Sequence, residues 1–222
     1  MIPQPLDLQI LNALAALLLL LSFAMLSQRR IVSLVNLLAL QGLMLTAATL
    51  LVAWRTGETH LYLSALLTFA LKVLFLPWLL HRLIRRLQVY WDTEPLLNIP
   101  GTMLVGVLIV VFAFGLAQPI AELASTATRS ALGIAVAVIL LAFLMMITRT
   151  KAMSQVIGFL SMENGLFFGA MSATRGMPMV VELGIALDIL VAMLVLGVFF
   201  FQIREQFDSL DLHHLETLKE GD

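Results

Sequence analysis

Residues 60–81 read HLYLSALLTFALKVLFLPWLLH, and the one charged side chain inside that run is Lys72. At 1.5 Å per residue, such a helix is long enough to cross a hydrocarbon core about 30 Å thick. A lysine at its centre costs roughly 2.5–3.5 kcal/mol on insertion scales. Glu163 and Asp188 interrupt two other apolar runs in the same way. Together the three cost on the order of 9 kcal/mol, more than many small domains have in total stability. A segment that only anchored the chain would carry leucine there. The reading is a membrane protein that handles protons within the bilayer.

Working outward, runs of membrane length fall near 8–27, 31–54, 60–81, 101–121, 130–148, 152–173 and 178–203. The expected fold is therefore all-α and polytopic, with seven transmembrane helices. Gln118-Pro119 threatens to end the fourth span early. Alternate connections carry Arg29 and Arg30; Arg82, Arg85 and Arg86; Arg149 and Lys151; and Arg204 with Lys219. The other side has Arg55, Arg129 and Arg175. This asymmetry predicts an N-terminus outside and a C-terminus in the cytoplasm of a bacterial or archaeal inner membrane. Asp7 precedes the first apolar run and Arg29-Arg30 follow it, the reverse of a cleaved signal peptide.

A weak internal repeat is visible. RRIVSLVNLLALQGLMLTAA at 29–48 resembles TKAMSQVIGFLSMENGLFFGA at 150–170, and ALKVLFL at 70–76 echoes ALDILVAML at 186–194. The pattern predicts two parallel three-helix units, at 1–90 and 129–207. A cytoplasmic loop with a connecting helix at 91–128 joins them, and 208–222 forms a polar tail. Tyr90 and Trp91 in that loop read as an interfacial aromatic anchor.

Composition excludes several classes. Of 222 residues, 61% are hydrophobic and 12% charged, about half the charged fraction of a soluble domain. A net charge of −1 provides no field for nucleic acid. Without cysteine, the chain holds no thiolate-ligated iron–sulfur, nickel–iron or structural zinc site. His60 and His81 lie about 30 Å apart at the two ends of one predicted helix, too far to share a haem. They read as solvated interface residues, and His213 and His214 fall in the tail. No phosphate-binding glycine loop or nucleophile elbow is present. The chain is expected to hold no cofactor and no metal, and to perform no catalysis of its own.

Gln41, Lys72, Glu163 and Asp188 each fall 10–12 residues into their spans, roughly 15–18 Å deep. Ser64, Thr68 and Lys72 recur at i, i+4 and i+8, a polar stripe able to hold water beside the ammonium. Gln155 joins Gln41, Ser64 and Thr68 as a candidate water-lining residue. Ser154, Gly158, Ser161 and Gly165 form a small-residue stripe suited to close helix packing, with Glu163 off that seam. Glu182 enters the seventh span about 6 Å from its end and on a different face from Asp188. It counts both as an interfacial residue and as a fourth member of the path. Burial raises carboxylate pKa values and lowers those of lysines, and a nearby opposite charge reverses both, so moving one charge can drive such groups between states. The proton path expected from the residues is Glu163, Asp188, Lys72 and Glu182. A static ion pair locking the third, sixth and seventh helices is the competing account.

SMENGLFFGA at 161–170, VELGIALDILVAM at 181–193, LDLHHLETLKE at 210–220 and ALKVLFLPWLL at 70–80 resemble the E subunit of hydrogenase-4-type membrane complexes. The resemblance runs over essentially the whole chain. The last three spans are also similar to the K subunit of respiratory complex I and to the C subunit of multisubunit sodium–proton antiporters. It implies a non-redox membrane-arm subunit of a group 4 nickel–iron hydrogenase, partnered by antiporter-like subunits. Glu163 and Asp188 are the positions nearest to the two K-subunit glutamates on the lateral proton path. A linker joining the antiporter-like subunits to the hydrogenase module is the structural rival. An independent transporter is a third reading, weakened by the lack of a paired Gly/Pro-broken midplane helix.

Overall fold

A computed structural model of the chain describes residues 6–87, 98–121 and 126–174, with isolated positions at 184, 186, 189, 190, 193 and 197. Its elements are helical: α1 (Leu6–Ser27), α2 (Ile31–Thr56), α3 (Thr59–Thr68), a π-helical segment (Phe69–Phe75), α4 (Leu76–Leu87), α5 (Ile99–Ala121), α6 (Thr126–Thr148) and α7 (Ala152–Thr174). The α3, π and α4 pieces are continuous, so the described residues form six helices long and apolar enough to cross a membrane. The seventh expected span at 178–203 and the tail at 208–222 lie largely or wholly outside the described residues. So does the last helix of the second repeat copy.

Local chemistry explains the boundaries. Gly57 closes α2 in the left-handed region, at φ 70°, and its N–H bonds Ala53 O at 2.9 Å. Pro100 sits in the first turn of α5, where a missing N–H leaves no hydrogen bond unmade. Helix α5 continues through Gln118-Pro119 to Ala121, slightly beyond the early stop that the sequence threatened.

Helices α6 and α7 pack closely along the small-residue stripe. A Cβ on Gly165 would lie 3.0 Å from Val138 and Ile139, and one on Gly158 would be 2.7 Å from Met146. Helix α2 touches α1, α3, the π segment, α4 and α7, and α1 also leans on α6. Among the described helices α5 is the least buried, exposing Leu104, Leu108, Val111 and Phe112.

The interior is stratified. One apolar cluster contains Met25, Leu38, Leu76 and Leu160; the other contains Leu18, Leu45, Leu61 and Phe167. On each of these helices, a buried polar residue lies between the two clusters: Ser22 on α1, Gln41 on α2, Lys72 in the π segment, Glu163 and Asn164 on α7. The fold thus places a polar layer between two apolar clusters.

Arg149, which the sequence reading counts among the topogenic charges of a connection, is 4% exposed. Its Nη2 donates to Leu26 O at 3.0 Å and to Gln28 O, tying the end of α1 to the α6–α7 turn. A cation is favoured there because the last carbonyls of α1 have no helical partner. Arg149→Met is expected to destabilise the protein by about 3 kcal/mol, the loss of two charge-assisted bonds. Thermal unfolding in detergent measures this; an unchanged midpoint contradicts it.

Candidate functional site

Four segments converge on one buried ion pair. Lys72 Nζ lies 2.9 Å from Glu163 Oε1, with side chains 4% and 1% exposed. The same Nζ donates to Asn164 Oδ1 at 2.9 Å. Asn164 Nδ2 donates to Gln41 Oε1 at 3.4 Å, Gln41 Nε2 to Ser22 Oγ at 2.9 Å, and Ser22 Oγ to Leu18 O at 3.0 Å. The Phe167 ring stands 6.0 Å from the ammonium, at the outer limit of cation–π attraction.

The backbone around Lys72 is built for this contact. Pro77 has no N–H, and in an α-helix its ring would collide with the carbonyl of residue 73. The chain answers with a π-helical turn over 69–75, in which Leu76 N–H bonds Leu71 O. Such turns occur mainly as single bulges and often mark functional sites. Gly42 lets α2 come up against the bulge: a Cβ there would sit 3.0 Å from Lys72 Cβ and 3.2 Å from Lys72 O. Gln41, its neighbour, is thereby brought into the layer that contains Lys72.

Hydroxyl groups divide into two kinds. Ser22, Thr46, Thr49 and Thr148 turn back to the carbonyl four residues earlier, the usual way a helix satisfies them. Ser64 and Thr68, 4% and 0% exposed, make no hydrogen bond. Both lie on the stripe that ends at Lys72. On the opposite side, Leu38, Leu76 and Leu160 enclose a pocket of about 10 Å³ against Lys72 and Asn164, about enough for one water molecule.

Of the residues singled out in the sequence, Lys72, Glu163 and Gln41 meet in one network, with Ser64 and Thr68 alongside. Gln155 does not join them. It is exposed in the first turn of α7 and its Nε2 bonds Arg149 O at 3.1 Å, so it braces the α6–α7 turn. Asp188 and Glu182 lie outside the described residues. Sequence reasoning passes over Asn164 and Ser22. Ser22 carries a signal, as the single polar residue of 13–26; Asn164 is overshadowed by the glutamate beside it. Among the described residues, no group of three His, Asp or Glu side chains is placed to hold a metal.

No family model and no solved structure matches the chain. Among curated proteins, it is 26% identical over 210 residues to "Hydrogenase-4 component E" of Escherichia coli K12, covering 95% of this chain and 97% of that one. The Shigella flexneri protein of the same name matches equally. "Uncharacterized protein Rv0085" of Mycobacterium tuberculosis is 36% identical over 194 residues, 87% of this chain and 88% of the relative. With that identity over nearly the full length of both, the chain belongs to the family of the mycobacterial protein, and the hydrogenase-4 E components are its distant relatives.

Proposed function

We propose that this chain is a membrane subunit of a hydrogenase complex, and that Lys72 and Glu163 relay protons inside it. The observation that carries the reading is the 2.9 Å contact between two oppositely charged side chains buried halfway along their helices. Distant similarity to the hydrogenase-4 E components supports the parent assembly. In the pair, a proton can pass from Nζ to Oε1, converting ammonium and carboxylate into amine and carboxylic acid with no change in total charge. A charge arriving nearby tips that balance, because both forms are sensitive to the field in a low-dielectric layer. Asp188 is the next group on a lateral path, with Glu182 towards one end. Antiporter-like subunits of a complex I-like arm are the partners to which such a path connects. The arginine and lysine asymmetry sets the N-terminus outside and the C-terminus in the cytoplasm.

The test is proton translocation per assembled complex in proteoliposomes. Glu163→Gln keeps volume and removes the titratable charge; it is expected to leave electron transfer intact and abolish coupled translocation. Asp188→Asn is expected to do the same, and the two effects should not add, since groups on one path interact. A structural linker gives another result, less assembled complex with normal coupling in each. Full coupling in both variants ends the relay reading.

A further inference from the structure

We propose that His60, Ser64 and Thr68 line a hydrated half-channel joining Lys72 to the membrane face at the α2–α3 turn. The four side chains recur at i, i+4, i+8 and i+12 from the start of α3 into the π segment. His60 Nε2, Ser64 Oγ and Thr68 Oγ1 are all buried and make no hydrogen bond. Two hydroxyls that could have bonded back to the helix, as Thr46 and Thr49 do, leave their capacity unused instead. Buried orphan groups of this kind call for water. The spacing suits it: four residues rise about 6 Å, and one water making two hydrogen bonds of about 2.8 Å bridges such a gap. His60 forms the mouth, its side chain 38% exposed and Nδ1 3.5 Å from the exposed Glu58 carboxylate.

Among the described residues no continuous stripe of this kind leads the other way, and Ser154 Oγ near that end of α7 is a single buried hydroxyl without a hydrogen bond. Beyond the pocket at Lys72 stand Leu38, Leu76 and Leu160. The buried serines of α7 on that side, Ser154 and Ser161, share the stripe of Gly158 and Gly165, whose missing Cβ atoms face α6. The Asn164–Gln41–Ser22 ladder is no exit either. Its donors point away from Lys72 and end on the Leu18 carbonyl, and neutral amides do not release protons. The ladder therefore positions the ammonium while insulating it on the α1 side. Lys72 exchanges protons through the hydroxyl stripe, and Glu163 passes them on.

The proton role rests on the relay reading above; the water path is tested without it. The chain contains no cysteine, so single replacements label against a blank background from this chain. His60→Cys, Ser64→Cys and Thr68→Cys in sealed membrane vesicles of both orientations are exposed to 2-sulfonatoethyl methanethiosulfonate, which does not cross lipid. A thiol in a wet crevice ionises and reacts; one in a dry core does not. All three should label from the α2–α3 face, at least about tenfold faster than Thr49→Cys or Ser22→Cys. Rates for Ser64→Cys and Thr68→Cys no higher than those comparators overturn the half-channel, as does labelling from the opposite face. As a second measurement, Thr68→Val keeps the shape and removes the hydroxyl. It should lower translocation per assembled complex several-fold, with Thr68→Ser restoring it; unchanged translocation in Thr68→Val overturns the proton role. Labelled thiols together with full coupling in Glu163→Gln would leave a water crevice and remove the relay, so the two failures are distinguishable.

Discussion

Glu163→Met alone is expected to destabilise the subunit by about 3–5 kcal/mol, and Lys72→Met added to it should return most of that loss. The single change leaves an ammonium in a layer flanked by two apolar clusters, without its carboxylate and with Asn164 Oδ1 still accepting from it. The double change fills the same space with two thioether chains and removes both desolvation costs. A residue of about 1 kcal/mol should remain, because Asn164 Oδ1 loses its donor. Subunit abundance in membranes and resistance to thermal unfolding in detergent measure the cycle. If the double variant is as unstable as the sum of the singles, the pair is not the unit of stability here. The same variant separates lock from relay: a well-assembled double substitution with normal coupling would show that neither charge carries protons.

Gly42→Val is the second large effect. A Cβ at that position meets Lys72 Cβ at 3.0 Å, Lys72 O at 3.2 Å and Lys72 C at 3.3 Å. Two of those three atoms are backbone, held by the π turn, so they cannot rotate aside. Helix α2 must retreat, and overpacking of this kind costs about 1–3 kcal/mol. The functional loss should exceed the loss of stability, because Gln41 retreats with its neighbour and the brace on Asn164 opens. Gly42→Ala is expected to be intermediate. Gly115 is the control, since a Cβ there would meet nothing within 4 Å. Gly115→Ala should be neutral or stabilising through helix propensity. Normal assembly and normal translocation in Gly42→Val would show that the close approach is incidental.

Apolar runs and charge placement reveal the helices because a bilayer-length helix needs only local sequence to be stable against lipid. The cost of Lys72 and Glu163 in such runs marks them without any contact being known. Ser64 and Thr68 are legible for the same reason, since helical spacing puts them on the face of Lys72. Gln155 stands apart from the network because it lies in the first turn of α7, where its amide bonds Arg149 O, about two turns from Glu163. Arg149 reads only as a charge on a connection because its acceptors, Leu26 O and Gln28 O, lie more than a hundred residues away in sequence.

Pro77 could have announced the π turn, since its missing N–H and its ring act locally. That the turn presents Lys72 to Glu163 and Asn164 is another matter. That pairing depends on Gly42 admitting α2 and on the glycine seam of α7 settling against α6. By itself, the sequence determined the six described helices, their approximate ends and the expensive residues within them, all properties of one segment and its solvent. Only the tertiary structure decided that Lys72 pairs with Glu163, that Asn164, Gln41 and Ser22 brace it, and that Ser64 and Thr68 keep their hydroxyls unspent. Each of those is set by which helix faces meet, and facing requires the packing of segments that are far apart in the chain.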